Sequence, residues 1–218
     1  MRASSLLAGR KIAVFDAEIK TPIEKCSNGW KSHDEMGVSV LVIYDYQSGR
    51  YRIFDDRNAA EAAVILSTYD LVVGLNTVGF DWKLLKASWP GMWPVTITKI
   101  PDGAVVQPDG RISRDFDILR EIWLSLHLDP NHFEPRTHGG YKLDDVAWDT
   151  IRMRKTANGA TAPLMFQEGR MADLVDYCIE DVRIERTLFE FVVDHQFVVR
   201  NGLAIRIPFS IDGNNFIF

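Results

Sequence analysis

Apolar residues fall in short blocks along the first third of the chain and at helical spacing along much of the rest. Residues 11–15 form a short β-compatible run that ends in Asp16-Ala17-Glu18, and residues 38–46 and 50–54 form two more, separated by Gln47-Ser48-Gly49. Runs of this length bounded by turn residues predict strands, here the opening of a β-meander. The period then changes. Residues 58–68 are alanine-rich with apolar positions at helical spacing, 71–75 reads as a buried strand, and 80–89 as a helix stopped by Pro90. Phe116, Leu119, Ile122, Trp123 and Leu126 repeat at 3.6-residue spacing and predict a helix over 115–126. Further helices are expected over 143–152, with Asp144 and Asp145 in the first turn where the helix dipole favours them, and over 171–196. Segment 203–209 alternates enough for a strand, and Pro208 assigns it to a sheet edge.

Three meander strands followed by alternating strands and helices imply a mixed α/β sheet with helices on its faces. A length of 218 residues suits one well-buried core. The expected division is a short N-terminal extension (1–10), a main domain (11–197) and a C-terminal β tail (198–218). That tail carries Ile205, Ile207, Phe209, Ile211, Phe216, Ile217 and Phe218, enough apolar surface to need cover from the domain's own sheet or a second subunit. Residues 90–110 hold four prolines and three glycines and predict a loop-rich insertion with at most a strand around 95–100.

Composition narrows the classes. No run of about 18 apolar residues is present, and the start offers only Leu6-Leu7-Ala8, so neither a membrane span nor a signal peptide is expected and a cytoplasmic protein is. Cys26 and Cys178 are too far apart in sequence to suggest a disulfide framework or a zinc cluster and are expected as reduced thiols. A formal net charge of −5 weighs mildly against a protein that grips a nucleic-acid backbone with a basic face. Carboxylates that bind divalent cations weaken that objection, because the metals then supply the positive field.

Three segments carry candidate chemistry. Asp16 and Glu18 stand at i and i+2 at a strand end, so both project to one side, where two like charges are costly unless a cation lies between them. In Asn76-Thr77-Val78-Gly79-Phe80-Asp81, a buried strand feeds a turn that leads into a helix with Asp81 in its first turn. In Tyr177-Cys178-Ile179-Glu180-Asp181, Tyr177 and Asp181 share one face of the long helix. Each segment alone also has a structural explanation: a solvated pair, a carboxylate favoured by a helix dipole, and a core tyrosine beside a salt-bridged aspartate.

Taken in order, the segments resemble the three motifs of the DEDD family of 3′-5′ exonucleases: F-D-x-E in Phe15 to Glu18, N-x-x-x-F-D in Asn76 to Asp81, and Y-x-x-x-D in Tyr177 to Asp181. The likeness covers about residues 11–191. Tyr177, with Asp176 where the other branch has histidine, points to the DEDDy branch, and His195 lies too far along the helix to substitute. Ile19 departs from the threonine that often follows the first-motif Glu and leaves substrate preference open. The family's standalone members and the proofreading domains of polymerases share these motifs, and no polymerase-sized region follows here, so a free-standing enzyme is expected.

The resemblance implies an α/β fold with a ribonuclease H-like mixed β-sheet flanked by α-helices. It further implies hydrolysis of phosphodiester bonds at the 3′ end of single-stranded or 3′-ended DNA or RNA, with two divalent cations, Mg²⁺ or Mn²⁺, held by Asp16, Glu18, Asp81 and Asp181. In that scheme Asp16 bridges the ions, Glu18 and Asp181 serve one, Asp81 reaches the other through water, and Tyr177 orients the attacking water. Carboxylate oxygens suit such hard ions. Substrate contacts are expected from Asn76 and Phe80, from His138 and Lys142 in the loop that also holds Arg136, Gly139-Gly140 and Tyr141, and from Lys155 in the cluster with Arg152 and Arg154. An endonuclease of the same fold and a catalytically silent nucleic-acid-binding module both remain open at this point.

Overall fold

Strand β1 (Ile12–Ile19) is buried almost throughout, because it lies between two neighbours in a sheet covered on both faces. Its side chains alternate between two cores: Ile12 and Val14 on one face, Ala13, Phe15, Ala17 and Ile19 on the other. A computed structural model describes residues 3–90, 96–97, 104–106, 112–129, 138–156, 159–212 and 215–217. It opens with a short helix, α1 (Ala3–Leu7), whose Ala3 and Leu7 are buried in the first core. After β1, short turns lead through α2 (His33–Met36) to the antiparallel strands β2 (Val38–Asp45) and β3 (Arg50–Asp55). Helix α3 (Ala59–Leu66) then returns the chain to β4 (Leu71–Gly74), which pairs with β1 in parallel.

A π-helical turn, Thr77–Asp81, joins β4 to α4 (Trp82–Ser88), which ends before Pro90 as expected. Short strands β5 (Thr96–Ile97) and β6 (Ala104–Val106) precede β7 (Ile112–Asp117), which pairs with β4 in parallel. The rest of the expected strand at 95–100 lies outside the described residues. In place of the helix that spacing predicts over 115–126, residues 115–117 belong to β7, and the helix α5 (Ile118–Ser125) starts only after them. Phe116 fits a helical stripe and a buried strand equally well, and pairing with β4 settles the matter. Asp117 makes the boundary by accepting the amides of Leu119 and Arg120 as the cap of α5.

The remaining helices are α6 (Leu143–Ile151), α7 (Ala162–Gln167) and α8 (Met171–His195). Strands β8 (Phe197–Arg200) and β9 (Leu203–Arg206) form a hairpin turned by Asn201 and Gly202, both at positive φ (52° and 76°), the geometry that matches strand twist. The last described strands, β10 (Ser210–Asp212) and β11 (Asn215–Ile217), pair with each other. Ile205, Ile207 and Phe209 are buried against the domain, and the Phe209 ring lies 5.2 Å from those of both Phe116 and Phe189.

The main sheet runs β3-β2-β1-β4-β7-β6-β5. Helices α5, α6 and α8 and the tail bury side chains in the core on one face, while α3 and α4 pack against the other. Asp16 and Glu18 continue the series Ile12, Val14 and therefore point toward α8. Both cysteines are buried free thiols. No helix among the described residues is long and apolar enough to cross a membrane.

Candidate metal centre

The register of β1 and the face of α8 bring the first and third motifs together. Donor atoms of Asp16, Glu18 and Cys178 lie within 4.8 Å of one another. Cys178 Sγ donates to the Asp16 carbonyl at 3.5 Å and approaches its Oδ2 at 3.8 Å. On α8, Tyr177 and Asp181 are buried one turn apart, and Asp81 is buried at the end of the π-helical turn. Asp81 acts electrostatically on Glu18 and is acted on by Asp16, so all four motif carboxylates share one field.

That field is strongly unfavourable to ionisation. Burial, followed by repulsion from Asp181, raises the Asp16 carboxyl to about 7, although Lys155 opposes the rise. Burial and the neighbouring carboxylates push Glu18 and Asp81 well above the usual carboxylate range. Asp181 rises less steeply, since burial is countered by Lys155 and by a hydrogen bond from Tyr177. Lys155 Nζ lies 2.5 Å from Asp181 Oδ2 and donates to the Tyr177 hydroxyl at 3.1 Å. Burial favours its neutral amine, but the surrounding carboxylates outweigh this and hold it firmly as an ammonium. Its backbone N–H donates to Asp144 at 2.9 Å, which ties the segment after α6 to the start of that helix.

A second set of residues supports these. Asp117 accepts the amides of Asn76 at 2.7 Å and Val78 at 3.0 Å, in addition to capping α5, so one carboxylate fixes both the turn leading to Asp81 and the start of a helix. Below it, Asp115 accepts from the Thr77 hydroxyl at 3.0 Å, and Arg120 Nη1 stands 3.7 Å from Asp115. Gly74 leaves no room for a side chain: a Cβ there would stand 2.4 Å from the Thr77 methyl and 3.0 Å from the Phe15 carbonyl. Glu185, one turn beyond Asp181, is buried and accepts the Leu75 amide at 3.0 Å.

Sequence reasoning missed Cys178, Asp115, Asp117 and Glu185 as residues of this region. The spacing 178, 181, 185 is a helical stripe and could have flagged Cys178 and Glu185. Asp117 immediately before an apolar helical pattern is an N-cap signal that the misplaced helix start concealed.

The expected substrate residues are distributed unevenly. Asn76 is buried in the left-handed conformation (φ 71°), and its carbonyl accepts the Phe80 amide. Phe80 is partly exposed beside Asp81 and packs against Trp30 and His33, with ring centroids 5.7 and 5.8 Å away. Lys155 is inside the centre. Lys142 is exposed at the cap of α6, and no contact among the described residues joins it to the carboxylates. The side chain of His138 and the whole of Arg136 fall outside the described part. Arg152 and Arg154 point outward, with Arg154 stacked over the exposed Trp148 ring at 4.1 Å.

Divalent cations fit this donor set. Asp81 Oδ1 and Asp181 Oδ1 are buried and accept no hydrogen bond among the described residues, a costly state that a hard cation would relieve. Burial keeps the Cys178 thiol protonated, so the oxygen donors define the preference.

Among solved structures, the chain is similar to the family B DNA polymerase from the hyperthermophilic archaeon Pyrobaculum calidifontis, with a TM-score of 0.57 and 21% identity. The match covers 83% of this chain and 24% of the polymerase, so the chain spans about a quarter of that protein's length. No family model and no curated protein matches. The likeness establishes the fold: α/β, a ribonuclease H-like mixed sheet flanked by helices. On this α/β fold, Asp16, Glu18 and Cys178 form a group whose ligand atoms could hold a metal ion.

Proposed function

We propose that the protein is a metal-dependent 3′-5′ exonuclease of the DEDDy type that hydrolyses phosphodiester bonds at the 3′ end of nucleic acid. The observation that carries this reading is the convergence of Asp16, Glu18, Asp81, Tyr177 and Asp181, drawn from three distant segments, in one buried electrostatic field. The motif resemblance includes the proofreading domains of polymerases, and a fold shared with a DNA polymerase agrees with it. Asp16, Glu18, Asp81 and Asp181 would hold two Mg²⁺ or Mn²⁺ ions. When bound, such ions supply an activated water and stabilise the leaving 3′ oxygen.

The chain's own groups supply the rest. The Tyr177 hydroxyl, between Lys155 and Asp181, stays protonated and positions the attacking water by hydrogen bonding. Lys155 sets a positive charge beside the position of the scissile phosphate. Phe80 offers its ring to the terminal base, and the turn at Asn76 holds Phe80 and Asp81 in place, while His138 and Lys142 meet the approaching strand.

The test uses 3′- and 5′-labelled single-stranded DNA and RNA with Mg²⁺, Mn²⁺ or EDTA, and compares the wild type with Asp16→Ala. Metal-dependent shortening from the 3′ end that disappears in the variant supports the reading, and the faster substrate identifies the nucleic acid. Discrete fragments from a circular substrate would replace exonuclease by endonuclease. A folded wild type inert on every substrate leaves the silent binding module.

A further inference from the structure

Glu185 is a charged residue that the three motifs do not account for. It lies on the stripe of α8 that carries Cys178 and Asp181, is 2% exposed, and belongs to the buried side of the helix. One oxygen accepts the Leu75 amide at the end of β4, while the other, Oε2, is buried and accepts no hydrogen bond among the described residues. Oε2 lies over the end of β4, 3.6 Å from where a Cβ on Gly74 would stand, a point that is also 3.0 Å from the Phe15 carbonyl of β1. It therefore faces the ground between β1, which carries Asp16, and the turn that carries Asp81. Asp16, Asp81 and Asp181 all act on it electrostatically, and they join burial in pushing its carboxyl up.

A structural bond to one amide does not need a charge. A neutral side-chain carbonyl of the same length would accept the Leu75 N–H equally well and avoid an unpaired buried oxygen amid like charges. A carboxylate makes sense there if cations enter. Four motif carboxylates would neutralise two divalent ions; Lys155 leaves one positive charge over, and Glu185 removes it. We infer that Glu185 is a fifth carboxylate of the centre, a positioning residue whose charge would strengthen the binding of a divalent cation there. This rests on the two-cation reading above.

The test is calorimetric titration of the 218-residue chain with Mn²⁺, comparing wild type, Glu185→Gln and Glu185→Asp, with cleavage rates measured against Mn²⁺ concentration in parallel. Glu185→Gln keeps the Leu75 hydrogen bond and removes the charge. It is expected to weaken one Mn²⁺ site by about 10-fold or more, the usual effect of losing a group behind metal ligands. The Mn²⁺ concentration for half-maximal cleavage should rise by a similar factor. Glu185→Asp, which retains the charge, should stay closer to wild type than Glu185→Gln. Equal Mn²⁺ affinity in wild type and Glu185→Gln overturns the inference, as does a Glu185→Gln chain that fails to fold while Glu185→Asp folds with weakened Mn²⁺ binding. A wild type that binds no Mn²⁺ overturns the metal-nuclease reading itself and this inference with it. A wild type that binds Mn²⁺ and cleaves, beside a Glu185→Gln chain that does so identically, removes the inference alone.

Discussion

Tyr177 has a phenol that burial, with the carboxylates of Glu18 and Asp181, holds well above its ordinary value against the pull of Lys155. A hydroxyl that retains its proton so firmly is a hydrogen-bond donor and not a base, so its contribution is geometric. Tyr177→Phe is therefore expected to lower kcat on a 3′-labelled oligonucleotide by about 10- to 100-fold, the cost of misplacing a reactant, with Mn²⁺ affinity unchanged. The neutral-pH rate profile should keep its shape, because no tyrosinate is lost; a change in its basic limb, or an unaltered kcat, would count against the positioning role. Tyr177 and the four acidic residues were legible in the sequence because each is fixed by spacing within a short segment. Lys155 is named from the sequence as a substrate contact out of a cluster of three cations, with no signal there of its place beside Tyr177 and Asp181. What separates it from Arg152 and Arg154 is burial: in the irregular run after α6, Lys155 is partly buried and both arginines are exposed.

An element is legible in the sequence where one period dominates and ambiguous where two are compatible. The meander and the long helix over 171–196 follow directly from their patterns, whereas the helical spacing over 115–126 takes in the end of β7, because Phe116 satisfies both periods. The error concealed the residue that joins the elements. Asp117 closes β7, caps α5 and holds the Asn76 and Val78 amides that lead to Asp81. Asp117→Ala is expected to cost about 2–4 kcal/mol in urea unfolding, since it removes a cap and leaves the buried Asn76 amide and the half-buried Val78 amide unpaired. The loss should also reach the site: Mn²⁺ affinity should fall with the order of the Asp81 turn. An unfolding free energy within about 0.5 kcal/mol of wild type, the usual range for a surface substitution, would show that this carboxylate does not hold the junction.

For the whole molecule, the mixed sheet flanked by helices could be anticipated, because meander strands followed by alternating strands and helices imply it. What no local pattern could supply was the burial of the motif charges. Without metal, the folded chain holds protons on Asp16, whose carboxyl sits near 7 instead of the ordinary 3.8, and on Glu18, Asp81 and Glu185, which are raised in the same direction. Between about pH 4 and 7 the unfolded chain has released those protons and the folded chain has not, so stability is present at the acid end of that window and lost as pH rises through it. Lys155 does not alter the trend, because its raised value places its own transition above the window. In EDTA, the melting temperature should therefore fall from pH 5.5 to pH 8. Each kcal/mol lost lowers it by about 2–4 °C in a chain of this size, so a fall of at least about 4 °C is expected. Mn²⁺ replaces the protons: it should raise the melting temperature strongly at pH 8 and little at pH 5.5, where it must first displace them. Asp16→Asn removes one of the proton-holding groups and should flatten both dependences. A melting temperature in EDTA that is flat or rises toward pH 8 would mean that the buried carboxylates do not carry the molecule's proton balance, and a cation would then have no like-charge repulsion to relieve.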